Sequence, residues 1–205
     1  MLPYEINGLP LHILLVHVVV IVVPLGAIMT FLGAVWPAFR RKLTFTTPLV
    51  TFVGLASVPL ATNAGEWLLA RVNPTSLIAA HAVIGDTLAP WAFGQFVLAT
   101  AIWVWYRSFA APTSQPEPPA RNLGTPDERD PFVVAETTPA DSSPRRARPT
   151  GRFAGRVSRR ASLVVSVVFM VLALALGTAT TIRVVQIGES GAATIWTGSF
   201  SDTPK

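Results

Sequence analysis

Three histidines, His12, His17 and His81, are the side chains of this sequence best suited to hold a cofactor, because neutral imidazole is the commonest protein ligand for haem iron and for zinc or copper. Glu66, Asp86 and Arg183 are the ionisable residues that accompany them inside or beside long apolar runs. Thr62 precedes Glu66 by one helical turn and shares its face, and Glu189 follows in a glycine-rich segment near the C-terminus. Four chemistries are open to such a set. His17 and His81 on two facing helices could be the axial ligands of haem b, with His12 beside them. A zinc or copper site could draw on His12, His17, Glu66 and His81. The same groups could clamp helix ends together, His to carboxylate and Arg183 to Glu66 or Asp86. They could also sense or pass a proton or small solute.

Spacing restricts the metal reading. His12 and His17 are five residues apart, about 140° around an ideal helix, so both reach one small ion only if the helix is distorted. The chain has no cysteine, which removes disulfides, thiolate zinc sites, iron–sulfur clusters and covalently attached haem. No catalytic constellation stands out, since Ser57, Ser190 and the threonines have no activating partner at a readable spacing.

The elements that must position these residues are membrane spans. Of 205 residues 51% are hydrophobic and only 13% charged, so the charges form islands between apolar runs. Runs of about 9–39, 48–69, 77–106 and 161–186 are long enough to cross a hydrocarbon core that needs about 20 apolar residues. Thirteen Lys and Arg border the loops after spans one and three, and only Arg71, Arg183 and Lys205 fall on the opposite side. The positive-inside rule then puts both termini outside and the basic loops in the cytoplasm. Span one lacks a basic leader region and a small-residue cleavage site and is expected to be retained. The expectation is an all-α, polytopic protein of the bacterial cytoplasmic membrane, N-out and C-out, with four transmembrane helices.

Counted from the cytoplasmic charge of each span, His17, Glu66, His81 and Arg183 lie at one height, roughly 35 to 39 Å at about 1.5 Å per residue. Asp86 sits slightly deeper and His12 slightly higher, so the polar residues gather at the outer interface. Pro24, Pro59 and Pro90 share a lower level, where lost hydrogen bonds can bend helices and open an outward cavity. Pro90 in particular leaves the carbonyl of Asp86 without its helical donor.

Residues 107–160 hold nine of the eighteen prolines and ten arginines, nine of them from Arg121 to Arg160, with almost no periodic apolar pattern. They read as a disordered cytoplasmic linker. Its arginines serve as a stop-transfer flank or meet anionic lipid. Nucleic acid is not an expected partner, because aromatics are not interleaved with the charges. Residues 187–205 form a short outer tail, too short and glycine-rich for a span, that could fold back over the polar site. The six tryptophans mostly lie near span ends, as interface anchors do.

Four separated segments, taken together and in order, carry a family resemblance. They are Asn7-Gly8-Leu9-Pro10-Leu11-His12 running to His17, Pro59-Leu60-Ala61-Thr62 to Gly65-Glu66-Trp67, His81-Ala82-Val83-Ile84-Gly85-Asp86-Thr87-Leu88, and Gly188-Glu189-Ser190-Gly191-Ala192 to Trp196. The chain resembles the bacterial membrane-protein family catalogued as domain of unknown function 2231 (DUF2231), most closely its actinobacterial branch. The resemblance covers all four spans and not the linker. It implies a four-helix integral membrane protein without an established activity, some of whose relatives are joined to Rieske-type iron–sulfur modules. It puts His12, His17, Glu66, His81, Gly85 and Asp86 on recurrent positions. Relatives often carry histidine where this chain has Glu189, a departure that weakens a four-histidine metal site more than a two-histidine haem. The functional expectation is a redox-associated membrane protein or accessory subunit of a respiratory electron-transfer complex that binds haem b, with zinc or copper the lesser cofactor alternatives. The competing class is a structural or small-solute or proton transport protein, in which the polar cluster clamps the helix ends.

Overall fold

A computed structural model describes residues 4–43, 45–109 and 158–198. The expected linker falls on 107–160, nearly all of it outside the described residues, as is the end of the expected tail. Four helical segments are long and apolar enough to cross a membrane, and the protein is an all-α, four-span membrane protein.

The chain enters through a small hairpin, β1 (Glu5–Ile6) paired antiparallel with β2 (Leu9–Pro10). Asn7 and Gly8 turn it with positive φ at both positions, 51° and 78°, the left-handed conformation that Asn-Gly tolerates best. Helix α1 (Leu11–Val35) follows directly. It ends where Pro37 forces Trp36 into an extended conformation, and Pro37 then opens a short α2 (Pro37–Lys42). The first span is therefore shorter than the apolar run that suggested it. Helix α3 (Thr46–Leu69) is continuous through Pro59, as α1 is through Pro24.

The third span is two helices, α4 (Ser76–Asp86) and α5 (Leu88–Ser108). Thr75 caps the first, its Oγ1 accepting from Ile78 N at 3.2 Å. The break falls at Thr87, next to the carbonyl that Pro90 deprives of a donor, so of the three prolines at one level only this one divides a span. Helix α6 (Arg159–Trp196) is capped by Ser158 and runs straight through the segment expected to fold back as a tail. Its 38 residues carry Ser190 and Gly191 on the helix itself rather than on a loop.

The long helices form a closed ring in the order α1, α3, α5, α6, with α6 returning to α1. Two apolar clusters fill it. Val19, Val23, Val58, Ala61, Leu88, Ala92 and Val184 make one, and Ala34, Leu98, Ile102 and Ala173 the other. The residue numbers rise between clusters on α1 and α5 and fall on α6, while Val23 against Gly54 and Gly26 against Thr51 run α3 opposite to α1. Neighbouring helices are thus antiparallel, as alternating spans require. Backbones approach closely where side chains are small: a Cβ on Gly26 would lie 2.9 Å from Thr51 Cγ2. Ile21, Ile28, Leu163, Val164 and Val83 face outward, over half exposed in the isolated chain, as surfaces that meet lipid do.

Candidate functional site

At the end of the bundle where α1 begins and α6 ends, two of the three histidines meet. The rings of His12 and His81 lie with centroids 6.3 Å apart and planes at 78°. His12 Nδ1 is 2.8 Å from the carbonyl oxygen of Ala61 on α3. A carbonyl can only accept, so Nδ1 carries the proton. His81 Nδ1 is 2.9 Å from Ser190 Oγ on α6. The single proton of that hydroxyl is donated to Ile187 O at 2.8 Å, so the imidazole is again the donor, at Nδ1. Both neutral rings are therefore held in the tautomer that leaves an electron pair on Nε2. Fixing the far nitrogen through Nδ1–H is what second-shell acceptors do for metal-ligating histidines.

Two glycines make these contacts reachable. Gly65 follows Ala61 by one helical turn, and a Cβ there would stand 3.0 Å from His12 Nδ1 and 3.1 Å from its Cε1. Gly191, next to Ser190, does the same for His81, whose Cε1 would be 3.1 Å from the added carbon. Each imidazole lies in a notch on the neighbouring helix that a larger residue would fill. Helix α4 carries His81 against α6 and has no buried residue of its own, so this end of the bundle is loosely packed.

The remaining expected site residues stand apart. His17 is exposed, its Nδ1 donating to Ile13 O of its own helix at 2.6 Å, so His81 meets His12 instead of the expected His17. Glu66, Asp86 and Glu189 are exposed and Thr62 Oγ1 donates to Pro59 O at 3.2 Å. Arg183 turns to Gln186 Oε1 at 3.5 Å, not to Glu66 or Asp86. Among the described residues no three His, Cys, Asp or Glu side chains gather to hold a metal ion. The expected set of His12, His17, Glu66 and His81 is therefore not assembled. The cause is the rotation already implied by the five-residue spacing: when His12 faces α3, His17 faces lipid.

The sequence held a signal for that choice. His12 shares a seven-residue register with Val19, Gly26 and Gly33, all buried, whereas His17 shares its helix face with exposed Ile21 and Ile28. Gly191 likewise continues the register of Gly177 and Val184, both buried. Ser190, which the sequence left without a partner, is the residue missed. Another is Tyr106 at the opposite end, whose hydroxyl donates to Ser166 Oγ at 2.8 Å, while Ser166 donates to Ser162 O. Arg40 lies over the Tyr106 ring, its guanidinium carbon 3.3 Å from the centroid, and donates to Gly33 O at 2.9 Å. Burial pulls Arg40 below its ordinary pKa while the tyrosine opposes that, and the guanidinium stays charged. It closes the C-terminal end of α1.

Trp67 belongs to the histidine end, stacked on Tyr4 at 5.7 Å and covered by Arg71, whose guanidinium carbon is 3.9 Å from the ring centroid. It ties the entering hairpin to α3.

No protein-family model, no curated protein and no solved structure matches this chain.

Proposed function

We propose that the protein is a redox-associated membrane protein that carries haem b between His12 and His81. The observation behind this reading is the pair of imidazoles, each anchored at Nδ1 on a neighbouring helix, an anchoring that leaves Nε2 as the nitrogen available to a ligand. With ring centres 6.3 Å apart, His12 and His81 are close enough to share one bound group, and they are the residues that would hold it. Zinc sites ask for three or four protein ligands, whereas a porphyrin supplies four and asks the protein for two. Helix α4, which has no buried residue of its own, is the element that would have to shift to admit a planar macrocycle. Bound haem would supply one-electron chemistry; the chain's part is to hold and orient the ligands and set their basicity through Ala61 O and Ser190.

Within the same proposal the chain is a DUF2231 member of the bacterial cytoplasmic membrane, with the histidine end outside and an accessory role in an electron-transfer complex. The charge asymmetry of its loops supports the orientation. Protein purified from haem-replete cells is expected to show reduced-minus-oxidised haem bands that disappear in His12→Ala and in His81→Ala and persist in His17→Ala. A colourless preparation refutes the haem. The competing reading, a clamp of helix ends, is favoured by the fact that both imidazoles bridge different helices; it predicts a lower melting temperature in the two variants with no cofactor at stoichiometric amounts.

A further inference from the structure

Gln95 of α5 is 2% exposed, and neither its Nε2 nor its Oε1 has a hydrogen-bond partner within the protein. It lies along the bundle between the two apolar clusters, with Ala92 of one on one side and Leu98 of the other on the next. Inside a bilayer such an amide cannot borrow partners from solvent, and polar groups there are satisfied internally or not at all. Gln95 lines a cavity of about 10 Å³ together with Val23, Thr51, Gly54, Leu55 and Ala92. That is about the room one water needs.

Leu55, another residue lining the cavity, is the source of a second polar group. Pro59, one turn after Leu55 in α3, has no N–H, so the carbonyl of Leu55 lacks its helical donor. Thr51 spends its hydroxyl proton on Thr47 O and Pro48 O, at 3.1 and 3.0 Å, and keeps oxygen lone pairs. A larger ligand does not fit, and no carboxylate lines the cavity to compensate a cation.

We infer that Gln95 and the Leu55 carbonyl form an internal hydration site that holds one water molecule beside the Pro59 position of α3. The water accepts from Gln95 Nε2 and donates to Gln95 Oε1 and Leu55 O, three hydrogen bonds, the usual number for a buried water. The site is independent of the imidazole pair, from which the Val19, Val23, Val58 and Val184 cluster separates it.

The test uses the full chain in detergent or nanodiscs, with Gln95→Leu, which keeps volume and removes both polar atoms, and Pro59→Ala, which returns a donor to Leu55 O. With the site present, Gln95→Leu strands the Leu55 carbonyl and lowers the melting temperature by about 2–4 °C. Pro59→Ala introduced on that background recovers part of the loss, so the two changes are non-additive. Hydroxyl-radical labelling generated from water within the wild-type protein should mark Leu55 or Val23, and the mark should vanish in Gln95→Leu. A melting temperature that rises in Gln95→Leu, strict additivity with Pro59→Ala, or an unlabelled wild-type core would each overturn the proposal.

Discussion

Replacing Gly65 by alanine sets two opposed effects against each other, and their sum tests the imidazole site. Alanine inside a helix is favoured over glycine by about 0.5–1 kcal/mol. At Gly188, where an added Cβ meets nothing within 4 Å, that gain should be free of any clash. Gly188→Ala should accordingly raise the melting temperature by about 1–4 °C for a chain of this size. At Gly65 the same carbon would arrive 3.0 Å from His12 Nδ1. Ordinary contact begins near 3.4 Å, so the ring must retreat by about 0.4 Å, away from the carbonyl it bonds at 2.8 Å. Such polar contacts between membrane helices are worth about 0.6–2 kcal/mol, enough to cancel the gain or exceed it. Gly65→Ala should therefore leave the melting temperature flat or lowered, and under the proposed haem binding should weaken the haem bands because His12 is displaced from His81. Differential scanning fluorimetry and a reduced-minus-oxidised spectrum on the two variants decide it. If Gly65→Ala gains as much as Gly188→Ala and keeps full absorbance, the notch has no role and the reasoning fails.

Ser190→Ala removes the acceptor of His81 and the donor of Ile187 O, and should lower stability by about 1 kcal/mol while reducing haem retention; unaltered retention in a dialysis assay would remove Ser190 from the site. Tyr106→Phe keeps the ring under Arg40 and loses the bond to Ser166, so it should cost about 0.6–2 kcal/mol in detergent melts, and Tyr106→Leu should cost more because the cation–π contact goes as well. Gly8→Ala puts a side chain at a φ of 78° and should loosen the entering hairpin, measured as faster amide exchange over residues 5–10, with no change in the remaining helices.

The spans were legible because each apolar run stops at charge, and lipid leaves the backbone no alternative to helix. That spans one and three bring histidines to a similar depth followed from alternating spans, but the pair expected was His17 with His81, and the structure brings His12 to His81. Which histidine of α1 turns inward was not read from depth, because height along a helix says nothing about rotation about its axis. Rotation is set by where small residues let α3 and α6 come close, and Gly26 against Thr51 of α3 and Ala27 against Gly177 of α6 mark that face. The tail was misjudged for a related reason. Gly188 and Gly191 lower helix propensity by about 1 kcal/mol each, but propensity yields when one of them is packed against an imidazole and the preceding spans already fix the axis. Ser190 could not be paired from sequence at all, because its partner lies 109 residues away.

The two ends of the bundle are built differently, and the difference bears on where a ligand can enter. The arginine end is tied by directional contacts in series, Gly33 O to Arg40, Arg40 to the Tyr106 ring, Tyr106 to Ser166 and Ser166 to Ser162 O, which join four elements, α1, α2, α5 and α6. Opening it breaks several of these at once. The histidine end has two imidazole anchors, a helix with no buried residue and a break at Thr87. Between the ends lies the valine-rich cluster of Val19, Val23, Val58 and Val184. The proposed redox centre at His12 and His81 would lie at the less firmly tied end of the bundle, so under that proposal both a cofactor and an electron-donating partner would approach from that side.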